Sequence, residues 1–217
     1  MKKLSNILSL IAIIISTSVN AQEFEPTLAK TLKQFENDTS LSMMMSTVNK
    51  LELIAGKWND RWLANYYAAY GDAIISYIEK DEIKRDVFLD KAESYMNNAE
   101  QLYGKESDEM FVMRALIASA RLSVKPSERW RTYGPVFDEN INKAKSLNLA
   151  NPRIYYLQGN SIFYTPKMFG GGAKKAMPYY EQADSLYKQQ MVDSTGIMPS
   201  WGDLQNSQML DKCQKGD

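Results

Sequence analysis

Residues 87–104 read VFLDKAESYMNNAEQLYG. Phe88, Ala92, Tyr95, Met96, Ala99, Leu102 and Tyr103 recur at spacings of three and four, so they share one helical face. Asp90, Lys91, Glu93, Asn97 and Glu100 fall mostly on the other. Gly104 stands where a helix takes a left-handed C-terminal glycine. A second helix opens just beyond: Ser107, followed by Asp108 and Glu109, has the form of a polar cap with acids in the first turn. From Asp108 to Ser123 the chain is apolar nearly all round, through Met110, Phe111, Val112, Met113, Ala115, Leu116, Ile117, Ala118 and Ala120. A helix of that kind is covered on several sides, and this one is expected at the centre of the molecule.

The same reading extends outward in both directions. Thr27–Glu36, Leu41–Ala55 and Lys57–Ile78 are expected to be helices. Downstream, Pro126 and Gly134-Pro135 are expected to bracket a loop over 125–133, with a helix from Val136 to Leu147 behind it. Asn151-Pro152 combines a capping side chain with proline at the first helical position, opening a helix that runs to Tyr164 and stops at Thr165-Pro166. Phe169-Gly170-Gly171-Gly172 is expected to be a flexible linker that lets Phe169 fold back onto the core. A last long helix runs to about Met191, its ladder beginning near Ala176 or kinking at Pro178, which lacks an N–H. A tail with Pro199, Trp201 and Gly202 leads into a short helix, Leu204–Gln214. No alternating β-branched stretch is long enough for a strand, so the fold class is all-α.

Three segments align without gaps: Ala92-x3-Met96-x2-Ala99, Phe137-x3-Ile141-x2-Ala144 and Ala176-x3-Tyr180-x2-Ala183. A small residue admits a neighbouring helix and a large one fills the groove beside it. The first helix of the third pair carries Tyr155-x3-Gly159-x2-Ile162 in the matching style. In this pattern the chain resembles divergent tetratricopeptide-repeat proteins, whose period is about 34 residues. The excess over that period falls at 123–135 and 165–172. Within the family it looks similar to a group of uncharacterised exported bacterial members, on four features: the aromatic helix Trp62-Leu63-Ala64-Asn65-Tyr66-Tyr67-Ala68-Ala69-Tyr70, the start Asn151-Pro152-Arg153, the loop from Tyr164 to Gly172, and Pro199-x-Trp201-Gly202. The resemblance implies a right-handed stack of antiparallel helix pairs, an α-solenoid.

Lys2 and Lys3, the apolar run from Leu8 to Ile15, and Val19-Asn20-Ala21 have the order of a secretory signal peptide. Cleavage is expected after Ala21. That leaves residues 22–217 as a single helical domain, periplasmic or secreted, without a stable membrane anchor. Basic and acidic residues number 26 each, a balance that gives nucleic acid no footing. The chain has no histidine, which removes the Ser-His-Asp triad, the Cys-His pair and histidine-bound zinc. No enzyme activity, cofactor or metal is expected. The single cysteine, Cys213, is expected to be semi-buried on a terminal helix.

In stacked helix pairs the first helices line the concave face. Periodicity places Tyr67 and Tyr70 of one pair there, and Tyr156, Asn160 and Tyr164 of another. Aromatic rings with polar tips suit recognition; the competing expectation is that most of them pack between helices. Arg121, Lys125, Arg129 and Arg131, with Trp130 and Tyr133, are expected on a solvated loop. Met43-Met44-Met45 is expected to fill core space beside a loop. The carboxylate pairs Glu79 with Glu82 and Asp108 with Glu109 are expected to be solvated and without catalytic role. The first expected function is a non-enzymatic interaction module or scaffold with a protein or peptide partner. The second is a carrier of a small ligand in the cell envelope.

Overall fold

A computed structural model describes residues 23–191 and 193–215. The signal-peptide reading of residues 1–21 lies outside them. Among the described residues the chain is helical throughout, with no strand. Helix α1 occupies 23–37. It is followed by α2 (Leu41–Lys57), α3 (Trp62–Ile78), α4 (Glu82–Tyr103), α5 (Asp108–Val124), α6 (Pro126–Leu147) and α7 (Pro152–Tyr164). After a 3-10 turn at Lys167–Phe169 come α8 (Ala173–Gln189) and α9 (Asp203–Lys215).

The expected cap signals act as such. The Ser107 side chain accepts from the Glu109 amide, Asn151 accepts from Arg153, and Gly104 ends α4 at φ 74°. Successive helices pack as pairs, α3 with α4, α5 with α6 and α7 with α8, and the first helices touch in order, α3 to α5 and α5 to α7. This is a solenoid-like stack. Helix α5 is its centre, with Met110, Val112, Met113 and Ala115 to Ala118 buried. The repeat residues Ala92, Met96, Ala99, Phe137, Ile141, Ala144, Ala176, Tyr180 and Ala183 are all buried. Gly159 shows why the pattern needs a small residue there: a Cβ would lie 2.6 Å from the Tyr180 ring.

Two expectations about insertions are corrected. Residues 126–135 are not a loop but the first turns of α6. Pro126 occupies the first helical position, where its missing N–H costs nothing. Pro135 lies inside the helix and removes only one bond from its ladder. Within the basic cluster, Trp130 and Arg131 are exposed as expected, but Arg121 and Arg129 are drawn into ion pairs. Arg121 is buried and pairs with Asp86, Asp90 and Glu93 on α4, and Arg129 Nη2 reaches Asp86 Oδ2 at 2.6 Å. These pairs tie α4 to α5 and α6. They hold the Asp86 carboxyl down at about 2, first through hydrogen bonds from Arg129 and then from Arg121.

The glycine run is not a flexible linker either. The Gly172 amide donates to Ile162 O at 2.9 Å and Gly171 to Pro166 O at 3.3 Å. Gly170 and Gly172 sit at φ 88° and 101°, and a Cβ on Gly171 would fall 2.0 Å from the Thr165 carbonyl oxygen. The backbone closes too tightly for side chains. Phe169 does not fold back; it is 72% exposed.

Candidate functional site

The face built by the first helices α3, α5 and α7 divides into a closed half and an open half. The closed half lies at their N-terminal turns. Glu109, expected to be solvated, accepts hydrogen bonds there from Tyr66 Oη at 3.0 Å, Asn151 Nδ2 at 2.7 Å and Arg153 Nε at 3.0 Å, and forms an ion pair with Arg153. Arg153 is itself buried, and its Nη1 has no hydrogen-bond partner among the described residues.

Over this cluster lies the strap 193–202. Asp193 folds it, accepting from the amides of Ile197 and Met198 at 3.0 Å each. Trp201 then bridges α3 and α7. Its ring stacks on Tyr70 with centroids 5.0 Å apart, meets Tyr156 edge-on at 6.5 Å and stands 5.7 Å from the Arg153 guanidinium. Its Nε1 donates to Tyr66 Oη at 2.9 Å, and its carbonyl accepts from Tyr187 Oη at 3.0 Å. Gly202 permits the approach: a Cβ there would lie 2.3 Å from the Tyr187 hydroxyl oxygen. Burial pushes the phenols of Tyr66, Tyr67, Tyr70 and Tyr187 well above their ordinary value.

The open half lies at the C-terminal turns. Tyr77 of α3 is 40% exposed, with its hydroxyl turned inward toward the Leu116 carbonyl at 3.4 Å. From α7 come Tyr156 and Asn160, both half-buried, and Tyr164, which is 71% exposed. Asn160 Oδ1 accepts from Tyr180 Oη at 2.9 Å. Burial raises the pKa of Tyr77, and the charges of Tyr156 and Tyr164 add to it. Beyond Tyr164 the 3-10 turn holds out Met168 and Phe169 at 82% and 72% exposure. Beneath it an open depression of about 360 Å³ is lined by Phe163, Tyr164, Thr165, Pro166, Lys167, Gly172 and Ala173. A larger depression of about 430 Å³ between α1 and α2 is lined by Pro26, Thr27, Lys30, Thr31, Gln34 and Lys50. It has no aromatic side chain and lies away from the tyrosines.

Of the five residues expected on the binding face, the structure brings Tyr156, Asn160 and Tyr164 to the open half and places Tyr67 and Tyr70 in the core beneath Trp201. Sequence reasoning assigned no site role to Trp201, Arg153, Tyr77 or Met168, and it expected Glu109 in solvent and Phe169 folded onto the core. Signals were present for two segments of these, in Pro199-x-Trp201-Gly202 and the glycine run.

The fold and this face define an all-α, solenoid-like protein with exposed aromatic side chains at the open half of its first-helix face. No family model matches the chain, and no curated protein matches it. Among solved structures it is similar to the HusA haemophore from Porphyromonas gingivalis, at 33% sequence identity and a TM-score of 0.73, over 90% of this chain and 92% of that one. At that identity and coverage the chain belongs to the HusA haemophore family. The relative favours the small-ligand carrier over the scaffold. No helix among the described residues is long and apolar enough to cross a membrane.

Proposed function

We propose that the protein is a haem carrier that takes an iron porphyrin on the open half of its first-helix face and performs no catalysis of its own. The observation that supports this most is the 33% identity to a haemophore across nine-tenths of the chain. The residues present suit such a cargo. A porphyrin offers a wide apolar macrocycle, which matches Tyr77, Phe163, Tyr164, Met168 and Phe169. It offers carboxylates, which match Lys167 at the depression and Lys174 and Lys175 in the first turn of α8. A patch of large apolar side chains held in water is the ordinary mark of a binding surface. Export by the N-terminal signal, with cleavage after Ala21, would place the carrier where haem is captured. The helix pairs are read as divergent tetratricopeptide repeats put to ligand binding.

Titration of the purified protein with ferric haem tests the reading. The Soret band should shift and saturate at one equivalent, with a Kd of about 1 μM or tighter, equivalent to about −8 kcal/mol. A spectrum equal to that of free haem at all ratios would remove the proposal.

A further inference from the structure

We propose that the proton on Asp72 keeps helices α1 and α2 seated on α3, and that its loss lets this N-terminal pair swing off while the stack from α3 onward stays folded. The inference concerns the side of α3 turned toward α2 and α4 and is independent of the carrier reading.

Helices α2 and α3 approach closely around this residue. A Cβ on Gly71 would lie 2.9 Å from Val48 Cγ2 and 3.3 Å from Leu51 Cδ1. Asp72 follows Gly71 in the chain and Glu52 follows Leu51, so the two carboxyls flank that contact. Asp72 is fully buried, and neither of its oxygens has a hydrogen-bond partner among the described residues. The charged and titratable groups that face it are Glu52 from α2 and Lys91 and Tyr95 from α4. Lys91 Nζ is taken up by Glu52 Oε1 at 2.8 Å. A carboxylate in that setting would be neither hydrated nor paired, so the closed form holds the neutral acid.

Ionisation acts on the neighbouring helices in opposite senses. The new charge repels Glu52 and attracts Lys91. Lys91 turning to Asp72 leaves Glu52 as a second, unpaired anion at the α2–α3 contact. The repulsion therefore falls on α2, whereas α4 gains a pair with α3. Helix α1 moves with α2, to which it is joined by the Phe24 and Trp58 rings at 5.6 Å and the Lys57–Glu23 ion pair at 3.3 Å. Its Phe35 meets Tyr70 of α3 edge-on at 6.0 Å. Helix α3 keeps its packing on α4 and α5, and α4 stays clamped to α5 and α6 by Arg121 and Arg129. Opening would bare the side of α3 around Gly71 and take Phe35 off Tyr70, the ring on which Trp201 of the strap is stacked.

Burial, and then the charge of Glu52, hold the closed-form carboxyl up at about 8, against an ordinary value of about 4. Opening releases the proton, so the opened fraction should rise by about tenfold per pH unit between those values and level off above about 8. Hydrogen exchange from pH 5 to pH 9, corrected for the intrinsic pH dependence of amide exchange, reads this directly. Residues 23–57 should lose protection on that profile while 108–124 keep theirs. Asp72→Asn should flatten the profile. Glu52→Gln removes the repelling charge and should move the levelling point to lower pH; Lys91→Met removes the attracting charge and should move it higher. Circular dichroism at pH 6 checks that each variant is folded. Protection in 23–57 that does not change with pH, or loss spread evenly over the chain, would overturn the proposal. So would an unchanged profile in Asp72→Asn, or shifts of Glu52→Gln and Lys91→Met in the same direction.

Discussion

Asp72 sits in an environment that its chemistry opposes. It is fully buried on α3, and neither carboxylate oxygen has a hydrogen-bond partner among the described residues. Burial, and then the charge of Glu52, push its carboxyl up to about 8. In the unfolded chain the same group titrates near 4. Between those values the folded state holds the extra proton, so stability declines as pH rises and is lowest above about 8. Asp72→Asn should abolish that decline, gaining on the order of 2–4 kcal/mol at pH 9 in urea unfolding. Equal slopes for the two proteins across that range would refute the assignment. Asp86 has the opposite sign. Its stabilising pairs persist above about pH 4 and weaken as pH falls toward 2.

Gly159 offers a second test at this scale. It faces the Tyr180 ring, which is completely buried. Gly159→Ala should cost about 1–3 kcal/mol through overpacking, despite the better helix propensity of alanine. A stability equal to that of the natural protein would mean that α7 and α8 sit further apart than described.

Helices were legible where their signals are local. Ser107, Gly104 and Asn151-Pro152 each mark a boundary through backbone groups within a few residues, and those boundaries hold. The start of α6 was not legible because Gly134-Pro135 is a local breaker, while what keeps 126–134 helical is remote: Arg129 reaching back to Asp86 on α4. The glycine run was misread for a related reason. Glycine permits flexibility, and it also permits closures too tight for any Cβ; only the path of the chain tells which. Met168 and Phe169 test the element directly. Because both are exposed, Met168→Ser with Phe169→Ser should leave the melting temperature within about 2 °C and weaken haem binding about tenfold or more. Unchanged affinity would remove the turn from the site.

Across the whole molecule, the solenoid-like stack followed from periodicity and the repeat, but which half of its first-helix face stays open did not. Tyr70 and Tyr164 have the same spacing logic in sequence. What separates them is a strap more than a hundred residues from Tyr70 that lays Trp201 on one and leaves the other in water. Trp201→Ala should destabilise the protein by about 2–4 kcal/mol, seen as a lower urea midpoint, while ferric haem still binds at the open half. Stability equal to that of the natural chain would show that the strap is not docked.

The most direct test of the account is hydrogen exchange measured with and without ferric haem. Protection on loading should gather in 77–78, 156–164 and 165–175, the open half and the turn beyond it. Protection confined to α1 and α2, or to the outer surfaces of α4 and α6, would place the ligand elsewhere and contradict it.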